Sequence, residues 1–539
     1  MLHPPAETVQ EDPDISGQRR GRPPGRIAEL AASDGQVFNP EPRIGWLLRS
    51  NRLACLPGVS ARQFAVLLAD HGVPADPSRV SRWETGLVPA TLEVVAAYER
   101  LIDLDPGGLR GVALFQRRVG TGQLVSASNL AGLRDDPAHL ERVLDAVVDG
   151  EPDGCAWFEL GLAVASVGER MVLPQSLWRS LTNRLVRQVG ISVGSAYLGR
   201  VEAANLLTTH ASARNALAYS IGEMLTEADV PVVTDPMTIL QEIDTPQANG
   251  LVLRLLDQEQ ISTRSAAAWA AAVKLGRGHF DEQEAARLEA LVMRLARTHG
   301  LERGGSFSGL LDLVDVLSPA ARAVILNAAG EVRGEPAAQE LAPDLQEVTA
   351  VLAQVVEEAD VDDPMLERLV WLALADPRAE HRFLAVFTLQ QSPFRALLAR
   401  VAGRRIEAHL SGADPVQPEL AHRLMVVLSV VGTPAEADLL LRIAEDNSSP
   451  LRGMGLIAVA HLPPGASVRR PRLERLLEGP DESLARTAAY CAGMTGDPAL
   501  RRLMERDDVP LNRRRAAQWW IAHGPAIHEA QAGRRPDRS

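Results

Sequence analysis

At 539 residues the chain is too long for a single hydrophobic core, so two or three folded units are expected. Hydrophobic residues make up 46% of it but aromatics only 4%, and lysine occurs once, at Lys274; this Ala-, Leu- and Arg-rich make-up suits helices and excludes a β-sandwich. The formal net charge is -13, yet residues 1–120 balance 14 Arg against 14 Asp and Glu, so the whole acidic excess lies behind them and any nucleic-acid contact is confined to the N-terminal quarter.

Residues 1–40 are rich in Pro, Gly and charge with no apolar period, the pattern of a disordered tail. Helical patterning begins at Pro42, with Ile44, Leu47, Leu48 and Cys55 on one face of a first helix. Ser60 and Gln63 form a capping-box pattern that opens a second helix carrying Phe64, Leu67 and Leu68. The stretch His71–Ala75 closes it, and Asp76-Pro77 supplies an N-cap and an N1 proline for a third helix, SRVSRWETG, which stops at Gly86. A fourth amphipathic helix spans Thr91 to Leu104.

Beyond residue 125 helical periods continue with Pro, Gly and Asp breaks, and residues 331–345 read as a linker. Pro450, Pro480 and Pro510 stand 30 residues apart, with Pro418 another 32 upstream, each ahead of an Ala-rich helical pattern. Proline restarting a helix at a fixed interval marks stacked helical units, each of which buries its apolar face only against its neighbours. The runs Ala485-Arg486, Ala488-Ala489 and Gly493–Pro498, with Arg513, Ala516-Ala517 and Gly524-Pro525, resemble HEAT repeats; a generic Ala-rich helical domain without true repeats is the alternative. Alternating strands are missing throughout, so the expected fold is all-α: a helix-turn-helix domain of four to five helices, then a HEAT-like α-solenoid.

Residues 44–104 resemble the helix-turn-helix domain of the phage-repressor-like, or XRE, family. The resemblance is carried by Leu48-Arg49, Gln63, Gly72, Val80-Ser-Arg-Trp-Glu-Thr-Gly86 and Pro89, with a long first inter-helix spacing from Leu53 to Ser60 and a longer turn between Gly72 and Val80. A helix fits the major groove of duplex DNA, and long donors or small groups on its first turns reach base edges. Ser78, Arg79 and Arg82 fall on the outer side of the third helix, whereas Val80 and Trp83 point inward as core. Arg79 and Arg82 are therefore candidates for guanine O6 and N7; a solvated helix face is the alternative. The resemblance further implies that Gln63 clamps a phosphate or orients a base-reader, and that Arg49 and Glu84 form a structural ion pair. In the tail, Arg20-Gly-Arg22-Pro23 resembles an AT-hook core, in which Arg20 and Arg22 enter a narrow A·T minor groove; a solvated basic patch is the alternative.

Catalytic chemistry finds no support. Gly190-Ile-Ser-Val-Gly194 matches the nucleophile-elbow pattern, but an arginine-studded helix precedes it where that elbow needs a strand. The 12 histidines are scattered without metal-ligand spacing, and the only lysine lies outside any phosphate-binding loop, so no metal or cofactor is expected. Cys55, Cys155 and Cys491 are too far apart in sequence for a CxxC pair or a dense disulfide framework, which points to a reducing compartment. The N-terminus lacks the pattern of a secretion signal and no apolar run is long enough to span a bilayer, so a cytoplasmic location is expected.

The domains expected are a tail at 1–40, a DNA-binding domain at 41–106, a helical connector and repeat region at 107–330, the linker at 331–345, HEAT-like repeats at 346–525 and a disordered tail at 526–539. The functional expectation is a transcription regulator that binds double-stranded DNA as a homodimer, with a protein or small-molecule effector at the acidic repeats. The alternative is an interaction scaffold or peptide-responsive sensor whose helix-turn-helix docks a protein. A helical-repeat DNA glycosylase fits poorly: Trp519-Trp520 beside Arg513–Arg515 is the only aromatic pair near basic residues, and it reads as core beneath a solvated face.

Overall fold

The computed structural model describes residues 38–121, 137–227, 229–299, 308–333, 343–463 and 472–529. The protein is all-α: 27 α-helices cover the described residues, and the only β-type pairing among them is an isolated bridge between Ser192 and Ile527. No described helix is long and apolar enough to cross a membrane.

The N-terminal unit comprises α1 (Glu41–Cys55), α2 (Ala61–Asp70), α3 (Pro77–Glu84), α4 (Leu92–Leu101) and α5 (Gly108–Thr121). Its helix starts follow from local chemistry. Ser60 Oγ accepts from Gln63 N while Gln63 Oε1 accepts from Ser60 N, closing the capping box. Asp76 Oδ1 accepts from Arg79 N at 2.8 Å, and Pro77 fills N1 of α3. Phe64, Leu68, Val80, Trp83, Val95 and Tyr98 are buried between these helices.

A boundary at residue 106 would cut α5 away from α1 and α4, on which it packs. The same helix ties the unit to the rest of the chain. Arg117 bonds Glu41 and the Ala90 carbonyl on one side, Gln116 Nε2 donates to Thr388 Oγ1 at 2.6 Å, and Arg118 lies buried between Glu202 at 2.7 Å and Glu242 at 2.8 Å. α1 adds Trp46 Nε1 to Asp363 Oδ2 at 2.7 Å and Asn51 Nδ2 to the Gln391 carbonyl at 2.9 Å. The N-terminal unit is thus tied to residues up to 340 positions away in sequence.

Helices open where the spaced prolines foretell: Pro418–Val431, Arg452–His461, Glu482–Thr495 and Leu511–His523, and each of the first three packs on the one that follows. Residues 334–342 of the expected linker lie outside the described residues, with helices ending at Arg333 and resuming at Leu345.

Two tail expectations are corrected at their inner ends. Phe38 N donates to the Gly120 carbonyl, and its ring meets Arg43 and His381, so residues 38–40 belong to the folded unit. At the other end Ile527 exchanges backbone bonds with Ile191 and Val193 while Glu529 pairs with Arg200 at 2.9 Å, so residues 526–529 are held against the middle of the chain. Burial of apolar surface and satisfied backbone groups outweigh the polar local composition at both places.

Trp519 and Trp520 are core, at 7% and 1% exposure. Arg513 is not a solvated residue: it bonds Glu482 and the Leu477 and Gly479 carbonyls. Helix Gln175–Val189 precedes Ser192, whose Oγ donates to the Gln188 carbonyl, so the elbow-like motif is a helix-to-helix connection.

Candidate nucleic-acid interface

α3 is an eight-residue helix with two unlike sides. Val80 and Trp83 point into the core at 0% and 3% exposure, and α3 packs on α1 and α2. Ser78, Arg79, Ser81 and Arg82 are exposed, on the outer side that the helical period assigns them. The Arg79 guanidinium lies 5.3 Å from the Trp83 ring centroid, a contact that steadies it without covering it.

The anchoring of α3 differs from the expectation. Glu84 does not pair with Arg49: its two carboxylate oxygens accept from Arg52 Nε at 2.6 Å and Arg52 Nη2 at 2.7 Å, with the Tyr98 hydroxyl donating to Oε1 at 3.0 Å. Arg49 is half-buried, three positions earlier on α1, and Arg52 is the arginine on the turn that faces α3. Arg52 Nη1 also donates to the Val59 carbonyl at 3.1 Å, so one guanidinium fixes the end of α3 and closes the long loop between α1 and α2. Hydrogen bonds donated to Glu84 raise the Arg52 pKa above its ordinary value against the opposing effect of burial, while burial and the Glu84 charge raise that of Tyr98; both stay protonated.

Gly86 ends α3 with φ +70°, and a Cβ there would sit 2.4 Å from Pro42 N and 2.5 Å from Glu41 C. Only glycine admits this turn and this approach to the start of α1.

Gln63 is exposed at the start of α2. Its Oε1 is spent on the capping box, which leaves Nε2 as the donor available outward. Arg62 beside it, passed over in the sequence, is also exposed, and its place in the first turn of α2 was the signal available. Arg20 and Arg22 lie outside the described residues, so the tail element stays an expectation. No three His, Cys, Asp or Glu side chains gather as a metal site among the described residues.

Ser78, Arg79 and Arg82 thus share one short helix that is locked from behind by a buried ion pair and exposed in front. Preorganised donors on a rigid element are what base-edge recognition requires. The chain matches no protein-family model and no curated protein.

Proposed function

We propose that this protein is a sequence-specific regulator that binds double-stranded DNA through α3, a member of the XRE type, with Arg79 and Arg82 reading base edges in the major groove. The observation that carries the reading is the outward, unburied pair of guanidiniums on a helix whose opposite side is fixed by Arg52 and Glu84. Gln63 Nε2 serves as a phosphate donor and Ser78 permits close approach. The AT-hook-like Arg20 and Arg22 grip the adjacent minor groove.

The body behind α3 carries the acidic excess and keeps clear of the phosphates. Its helices after Pro418, Pro450, Pro480 and Pro510, each of the first three packed on the one that follows, support the HEAT-like reading of residues 346–525. A homodimer supplies two half-sites, and the exposed Leu53, Val66 and Leu87 on the N-terminal unit, at 48%, 58% and 76%, support a protein contact there. A cytoplasmic protein of this kind passes signals from its helical body to its DNA-binding unit through α5.

Selection of bound duplexes from a randomised pool tests the reading. The expected product is one enriched sequence with two half-sites roughly 34–36 Å, one helical turn, apart. A pool that stays unenriched contradicts it and leaves the protein-docking alternative, which the same exposed apolar residues favour.

A further inference from the structure

A cavity of about 1340 Å³ lies among segments far apart in sequence, including α5, the helices Ser195–Leu207 and Thr234–Leu240, the helix Ala379–Gln390 and the pair His528-Glu529. It exceeds the roughly 300–1,000 Å³ of common small-molecule sites. Its walls gather aromatic side chains in a chain that has few. Of 8 Trp, 4 Tyr and 9 Phe, the cavity takes Phe115, Tyr197, Trp269, Phe383, Phe387 and Tyr490. Phe387 stacks on Tyr197 at 5.9 Å and meets Phe115 edge-on at 6.2 Å, so these rings form a continuous wall.

The charges on the wall are unevenly matched. Glu202, Glu380 and Glu529 each hold an arginine, Arg118, Arg277 and Arg200 respectively. The wall's arginines are engaged as well: Arg118 by Glu202 and Glu242, Arg395 by the Val431 and Gly432 carbonyls, Arg486 by Ser262 Oγ at 2.9 Å. The two histidines are neutral, because burial lowers both His461 and His528. Among the described residues no cation pairs with Asp105 or Asp235: Asp105 accepts from Ser195 Oγ at 3.2 Å, and Asp235 lies against the Tyr197 hydroxyl. Asp235 is half-buried on the cavity wall, where a bound group can reach it.

Arg118 already lies 5.0 Å from the Phe115 ring centroid, so an organic cation is attracted by the remaining rings of the wall and by the Asp235 carboxylate beside Tyr197. We infer that this cavity is a binding site for an amphipathic organic ammonium compound, with its apolar body against Phe115, Tyr197 and Phe387 and its ammonium group at Asp235. Phe115 and Arg118 belong to α5, whose Gln116 and Arg117 hold the N-terminal unit in place, so an occupant touches the helix that packs on α1 and α4. The proposal does not rest on DNA binding by α3, and its test contains no DNA.

The test is calorimetric titration of the full chain with three compounds of one skeleton: 4-phenylbutylammonium, 4-phenylbutanol and 4-phenylbutyrate, at about pH 8 so that Asp235, raised by burial to about 7, is ionised. The ammonium compound is expected to bind at least about tenfold more tightly than the alcohol or the carboxylate. Asp235→Asn is expected to bring it within about threefold of the alcohol, and Trp269→Leu to weaken all three alike. Equal binding of the three compounds to the wild-type chain, tighter binding of the carboxylate, or no binding of any overturns the proposal, and so does an ammonium preference that survives in a folded Asp235→Asn. Should that variant fail to fold, the wild-type ranking decides alone.

Discussion

Gln116 Nε2 donates to Thr388 Oγ1 at 2.6 Å across 272 positions of sequence, with both residues at 0% exposure. This bond joins α5, and through it the N-terminal unit, to the helix Ala379–Gln390. Thr388 Oγ1 donates its own hydrogen bond to the Leu384 carbonyl, so losing the glutamine leaves a buried acceptor short of a donor. Gln116→Met is expected to cost about 1–2 kcal/mol, and Thr388→Val in the same chain to add less than its single effect, with a coupling of about 1 kcal/mol in a denaturant double-mutant cycle.

Glu84→Gln strips the charge from a pair whose side chains are 6% and 5% exposed, leaving Arg52 buried and unmatched. A loss of about 3–5 kcal/mol in the stability of the N-terminal unit is expected, read by urea unfolding. Arg49→Met should stay within about 0.5 kcal/mol of wild type, since that arginine is not the partner. The reverse ranking would restore the Arg49–Glu84 pairing.

Gly86→Ala is expected to destabilise by more than about 2 kcal/mol, because a positive-φ strain of about 1–2 kcal/mol is joined by overlap with the α1 backbone. Gly58 provides the control: its φ is +84° but a Cβ there meets nothing within 4 Å. Gly58→Ala should show the strain alone, about 1 kcal/mol. Equal effects in thermal unfolding would mean that α1 and α3 do not approach as described.

Two cavity groups give opposite pH signatures. Burial lowers His461 from 6.5 to about 4, opposed by its bond to the Ser429 carbonyl and aided by neighbouring His528. Its contribution to stability is complete above pH 6.5 and is lost as pH falls through about 4. Burial raises Asp235 from 3.8 to about 7, so its contribution is complete below 3.8 and is lost as pH rises through about 7. Relative to wild type, Asp235→Asn should therefore gain stability as pH rises from about 4 to about 7, and His461→Gln should gain as pH falls over the same interval. Denaturant midpoints measured across that range check both signs.

Local signals in the sequence carried the N-terminal unit well. The Ser60–Gln63 box, the Asp76-Pro77 start and the inward Val80 and Trp83 all follow from capping and helical period, which depend only on near neighbours. The choice between Arg49 and Arg52 was beyond such signals, because it depends on which turn of α1 meets α3. So was the seating of α5, whose bonds run to Thr388, Glu202 and Glu242. The cavity was least legible: Phe115, Tyr197, Asp235 and Phe387 come from four helices, and Asp235-Pro236 looks like an ordinary helix-start pair in the sequence. Its residues converge only through tertiary packing.

The most direct test of DNA recognition by α3 is a fluorescence-anisotropy titration of the selected duplex, and of a scrambled one, at several salt concentrations. Arg79→Ala and Arg82→Ala are each expected to lose about 1–3 kcal/mol of the preference for the selected sequence while the salt-dependent binding of the scrambled duplex persists. Wild-type preference in both folded variants would contradict the assignment of α3 as the reading helix.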